Sequence, residues 1–232
     1  MSTADILSPP AETPSRSISS GTLLTGVALS SFSALLLELS LTRLFSVVLF
    51  YHFAFLAISI ALLGLGAGGV FAHLRKTALG KVELRFLAAT CALLSACAIP
   101  LAIEVVLHTP VALELSAGNF LRLSAIYLAS AVPFFLTGLE FSVIFARFPE
   151  RIPRIYGADL IGGAIACVAV VPLLNWIGGP NTVLFAALAT AVAAAVWSPT
   201  RFLRRSSATL IMLLMMGVMF GGEVNNADWI VQ

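Results

Sequence analysis

Seven runs of about 15 to 24 residues, each nearly free of charge, follow one another along this 232-residue chain. They are Thr22 to Thr42, Tyr51 to Leu74, Phe86 to Leu107, Leu123 to Ala146, Tyr156 to Ile177, Thr182 to Trp197 and Ala208 to Gly222; the sixth and seventh are short. A bilayer core about 30 Å thick takes roughly 17 to 25 apolar residues of helix to cross. Inside it only helices or closed barrels satisfy every backbone N–H and C=O. With 59% hydrophobic and 10% charged residues, the pattern predicts an all-α integral membrane protein of about seven transmembrane helices. The stretch Leu44 to Phe50 is apolar but belongs to no span; it either extends the first helix or forms an interfacial elbow.

The ends differ in composition from the middle. Residues 1–20 are polar, with Pro9, Pro10 and Pro14 among Ser and Thr, and read as a disordered cytoplasmic tail. The first apolar run is too long for a signal-peptide core and no cleavage site precedes a soluble domain, so it reads as a retained helix. Residues 21–222 form the polytopic membrane domain, and 223–232 a short polar tail.

Basic residues fix the orientation. Arg75, Lys76, Lys81 and Arg85 follow the second run, Arg147, Arg151 and Arg154 the fourth, and Arg201, Arg204 and Arg205 the sixth. The positive-inside rule places these alternate linkers, and with Arg16 the N-terminus, in the cytoplasm. Seven spans then put the C-terminus outside. A formal charge of +2 gives no reason to expect nucleic acid as a partner. Cys91, Cys97 and Cys167 lie within apolar runs without a CxxC or Cys/His cluster, so they read as core packing, and no cofactor, metal site or disulfide frame is indicated. No Ser/His/Asp set or catalytic cysteine stands out.

Glycines in the spans are expected to serve packing. Gly64, Gly66, Gly68 and Gly69 lie deep in an apolar run, not between a strand and a helix as a nucleotide-binding loop requires. Gly64 and Gly68 make a GxxxG pair suited to close helix approach. The fifth run repeats the device, with Ala158, Gly162 and Ala166 on one stripe and Asp159, Gly163 and Cys167 on the next. Pro100 and Pro133 each free a backbone carbonyl and are expected to kink their helices.

Four acids interrupt the apolar runs: Glu38, Glu104, Glu140 and Asp159. An acid at a helix centre costs about 2.5–3.5 kcal/mol to insert, so each calls for a partner or a role. Depth divides them into an outer pair, Glu38 and Glu104, and an inner pair, Glu140 and Asp159. Glu38 is expected to meet Arg43, five residues on and about 140° around a helix, if the helix bends or ends near Thr42. Glu104, four residues before His108, reaches interfacial water. Glu140 and Asp159 are expected to cluster with arginines of the 147–154 linker, as a structural lock or as a functional site. His52 and His73, at opposite ends of the second run, read as interfacial anchors.

The segments ELSLTRLFSV (Glu38 to Val47) and LEFSVIFARF (Leu139 to Phe148) each place an acid before an arginine and precede a Gly-rich helix. Three spans between them would make inverted repeats, a plan of secondary transporters.

These stretches, with PFFLTGLEFSVIF and RIYGADLIGGAIACVAVVPLLNWIGGPN, resemble the membrane region of bacterial multi-pass spermidine-synthase-like proteins over roughly residues 22–197. The resemblance implies an inner-membrane domain that anchors or serves a soluble aminopropyltransferase or methyltransferase-like domain, in which decarboxylated S-adenosylmethionine and polyamine would be held. Nothing in this chain forms that domain, which makes it the membrane half of a longer product or a stand-alone relative. Catalytic residues are therefore not expected here. Glu38, Arg43, Glu140 and Asp159 are the expected contacts for a small polyamine-type cation. The alternatives are a secondary transporter or proton-coupled carrier, and a structural membrane subunit. The expected partners are the lipid bilayer, a transferase domain or subunit, and the cation.

Overall fold

The computed structural model describes residues 18–48, 54–109 and 116–224. They form helices α1 (Ser20–Val48), α2 (Ala54–Leu74), α3 (Lys76–Gly80), α4 (Leu84–His108), α5 (Ala117–Arg147), α6 (Ile152–Trp197) and α7 (Arg201–Val224), with a 3-10 turn at Pro149–Arg151. No strand occurs among the described residues. Six of the helices, all but α3, are long and apolar enough to cross a bilayer.

Several helices exceed the apolar runs at both ends. α1 continues through Leu44 to Val48, so that this stretch extends the first helix rather than turning along the interface. Arg201, Arg204 and Arg205 belong to the first turns of α7 rather than to a linker. Sequence reading missed α3, which is too short to carry a periodic pattern. Tyr51 and His52, and residues 1–17 and 225–232 of the polar tails, lie outside the described residues. Pro100 and Pro133 stay inside α4 and α5, and the Pro133 carbonyl accepts hydrogen bonds from Thr137 (3.0 Å) on its own helix and Ser95 (3.4 Å) on α4. Several other hydroxyls in the spans are satisfied within their own helix. Ser40 and Thr42 donate to the carbonyls of Leu36 and Glu38, one turn back, which removes the need for water.

The fifth and sixth runs are one continuous helical element broken at Gly178, whose φ of 79° and ψ of 171° are not helical. At 1.5 Å per residue its 46 residues would reach about 69 Å if straight, more than twice the hydrocarbon thickness. It does not run straight. A Cβ placed on Gly162 would run into the backbone of Ala28, one on Gly179 would lie 3.9 Å from Leu44 Cδ1, and Trp197 returns to lie against Gly26. Thus 152–177 ascends α1 and 179–197 descends it, with the turn beside Leu44.

Glycines mark the closest helix crossings. A Cβ on Gly64 would sit 2.6 Å from Phe134 Cβ, and one on Gly68 would strike the Phe135 carbonyl and come within 2.6 Å of the Leu139 nitrogen. From the other side, a Cβ on Gly138 would lie 2.7 Å from Leu65 Cα. α2 and α5 therefore meet backbone to backbone, as α1 and 152–177 do at Ala28 and Gly162. Gly66 faces open space and takes no part.

Two apolar clusters fill the bundle. One gathers around Leu36, Phe45, Ile60 and Ile99, the other around Val27, Ile144, Ile155 and Trp197 at the end where the basic linkers lie. There Arg147 donates to the carbonyls of Leu79 (2.6 Å) and Val82 (2.7 Å), and Arg85 to that of Ser198 (3.2 Å). These bonds tie all three basic segments together at one end of the protein.

Candidate cation-binding groove

The adjacent serines of α1 reach two different helices. Ser30 Oγ donates to Glu140 Oε1 on α5 at 2.9 Å, and Ser31 Oγ donates to the backbone carbonyl of Asp159 on α6 at 2.8 Å. Residues one apart on a helix point about 100° apart, so a serine pair can serve two neighbours at once. A third serine, Ser33, bonds the carbonyl of Ala186 (2.7 Å) and Thr190 Oγ1 on the returning arm of α6.

Glu140 is enclosed, with only 2% of its surface exposed. Trp197 lies beside it and fills the space over Gly26, where a Cβ would approach Cζ2 to 2.5 Å. The buried indole N–H finds no hydrogen-bond partner of normal geometry. The expected cluster of Glu140 and Asp159 with linker arginines is not formed. Arg147 is held seven residues from Glu140, about 10 Å along the helix, by the two carbonyls of the α3 segment. Glu140 acts instead as a polar contact joining α5 to α1.

Glu38 and Arg43 do not pair. α1 neither bends nor ends near Thr42, so the two side chains diverge, and Arg43 is exposed. Glu104 does meet His108, at 3.2 Å, with both side chains largely exposed; such a pair contributes little.

Glu38 and Asp159, which depth alone assigned to opposite layers, line one groove of about 430 Å³ between α1, α5 and α6. Both are half-buried, and neither forms an ion pair among the described residues. Ser31 and Thr137 add hydroxyls, and Phe134 and Phe141 add aromatic surface. Ser31, at the level where α1 contacts Asp159, is seven residues below Glu38, a separation of about 10 Å along α1. The groove thus offers two carboxylates along a largely apolar wall with two hydroxyls. No three His, Cys, Asp or Glu side chains gather as a metal site among the described residues.

No family model, curated protein or solved structure matches this chain. The groove must therefore be interpreted from its own chemistry. Two unpaired carboxylates in a low-dielectric setting attract positive charge strongly, because desolvation of each acid is offset only by a counter-charge. Aromatic faces add cation–π attraction. Sequence reading singled out Glu38 and Asp159 but not their meeting, and it missed Thr137 and Trp197. Thr137 carried a signal, being three residues before Glu140 on a helix that already bears an acid.

Proposed function

We propose that this chain is a multi-pass membrane domain that binds a small, elongated organic cation of the polyamine type, with Glu38 and Asp159 as its two counter-charges. The observation that carries this reading is the shared groove, lined by one carboxylate from α1 and one from α6 that form no ion pair among the described residues, a setting that would suit a cation with more than one amine. Arg43 and Glu140 are outside the groove lining, Arg43 as an exposed cation and Glu140 as a buried helix contact. The same reading takes the domain to cross the inner membrane seven times, since α6 doubles back at Gly178, and to be held closely through its glycine stripes. Its N-terminus is cytoplasmic. The kinship with spermidine-synthase-like proteins, and with it the service to an aminopropyltransferase or methyltransferase-like domain, rests on the sequence resemblance alone.

The test is binding of putrescine and spermidine to purified protein in detergent, followed by calorimetry. Glu38→Gln and Asp159→Asn should each weaken binding by tenfold or more, whereas Glu104→Gln should not. Binding that survives both groove substitutions would overturn the assignment.

A second reading, a secondary carrier, has one observation of its own. α1 packs on residues 152–177 as α5 packs on α2, each through glycine at the crossing. Exchanging α1–α2–α4 with α5 and the two arms of α6 preserves that pairing, as inverted repeats would. Uptake of the cation into proteoliposomes driven by a pH gradient distinguishes a carrier from a binding domain.

A further inference from the structure

At the end of the bundle bearing the basic linkers, a pocket of about 480 Å³ opens between α2, α3 and α5. It is separate from the groove of Glu38 and Asp159. His73, Lys76 and Arg147 line it, Ser142 adds a hydroxyl, and no acid contributes to its wall. Gly69 opens its floor, since a Cβ there would press to 3.2 Å on Ser142 Oγ.

Arg147 is held ready at this pocket. Both of its hydrogen bonds leave from Nη2, toward the carbonyls of Leu79 and Val82. This fixes the plane of the guanidinium and leaves Nε and Nη1 without an acceptor among the described residues. A guanidinium presents its donors in a fork suited to two oxygens of one phosphate. Lys76 is exposed, and the rotatable stem of a lysine lets it supply a second, adjustable positive charge. Below this rim the wall is apolar, formed by Ala72, Leu79 and Val143.

The pocket lies at the C-terminal ends of α2 and α5, and the membrane crossing proposed above puts those ends near the depth of a lipid's phosphate. A cationic rim over an apolar floor matches a molecule with a phosphodiester at one end and hydrocarbon at the other, and basic pockets between helices at the cytoplasmic face are suited to such headgroups. We propose that His73, Lys76 and Arg147, drawn together by α3 folding back across the end of α5, form a binding site for the phosphate of an anionic phospholipid.

The purified protein in zwitterionic detergent is titrated with phosphatidylglycerol, phosphatidylcholine and inorganic phosphate, and bound lipid is counted by native mass spectrometry alongside the unfolding midpoint. Phosphatidylglycerol should bind and raise the midpoint, phosphatidylcholine should do so at least tenfold more weakly, and inorganic phosphate at millimolar concentration should give no comparable shift. Lys76→Gln should reduce phosphatidylglycerol affinity roughly fivefold, and Lys81→Gln, a nearby cation outside the pocket lining, should not change it. Arg147→Lys, which retains charge but loses the fork, should reduce affinity while the protein still unfolds cooperatively. Equal binding of the two lipids, or an equal effect of Lys81→Gln, would overturn the site; an equal shift by inorganic phosphate would overturn the lipid as its occupant.

Discussion

Ser30 of α1 donates a 2.9 Å hydrogen bond to Glu140 of α5, the only acid fully enclosed among the described residues. One hydroxyl thereby links the two helices whose neighbours, α6 and α2, approach them through glycine. Hydrogen bonds between membrane helices typically contribute about 0.6 to 2 kcal/mol, since the unfolded helices in lipid also find partners. Ser30→Ala should therefore lower the unfolding free energy in detergent by roughly that amount. Glu140→Ala, which adds a cavity beside Trp197, should cost about 2–4 kcal/mol, whereas Glu140→Gln keeps an acceptor for Ser30 and should cost less than either. A smaller loss for Glu140→Ala than for Glu140→Gln would contradict this role.

Gly68→Ala should destabilise the α2–α5 contact by about 1–3 kcal/mol, the range for overpacking a fitted interface. The added methyl would meet the Phe135 carbonyl and the Leu139 nitrogen, which are backbone atoms and can yield only if the helices separate. Gly66→Ala, two residues away in open space, should be neutral or slightly stabilising through its better helix propensity. Unfolding midpoints of the two variants in the same detergent make the comparison.

Gly178→Ala should lower stability by about 1–3 kcal/mol, because φ 79° and ψ 171° fall in a region open essentially to glycine alone. Gly179→Ala has only an ordinary contact with Leu44 at 3.9 Å to accommodate and should be tolerated. Near-equal midpoints for the two would show that the reversal does not depend on the conformation of Gly178.

The proposed seven crossings would place the two ends of the domain on opposite sides. A reporter active only in the cytoplasm should work when fused ahead of α1 and fail when fused after α7. A cysteine introduced at Lys76 should be labelled from the cytoplasmic side by a membrane-impermeant reagent. Activity of the C-terminal cytoplasmic reporter would mean that α6 crosses once, not twice.

That the chain forms long apolar helices was legible in the sequence because lipid enforces them. Their exact limits were not: α1 and α5 extend through residues such as Leu44 and Asn119, since the interface tolerates polar groups that the centre does not. The candidate site was legible only as single residues. Glu38 and Asp159 were marked by their insertion cost, yet their sharing of one groove, rather than contacts with Arg43 or Arg147, was invisible. Counting residues from a span's end gives depth, not the direction in which a side chain points.

The sequence by itself determined the solvent, the secondary structure and the expected orientation, because apolar length and the placement of lysine and arginine each answer to the membrane directly. Only the tertiary structure decided which face of each helix turns inward. A helix such as α2, apolar all round, carries no amphipathic stripe to mark its buried side. Its rotation is set by where a neighbour's backbone fits, at Gly64 and Gly68 against α5, as that of α6 is set at Gly162 against α1. That steric choice turns Glu140 into the core beside Ser30 and brings Glu38 and Asp159 to a common groove.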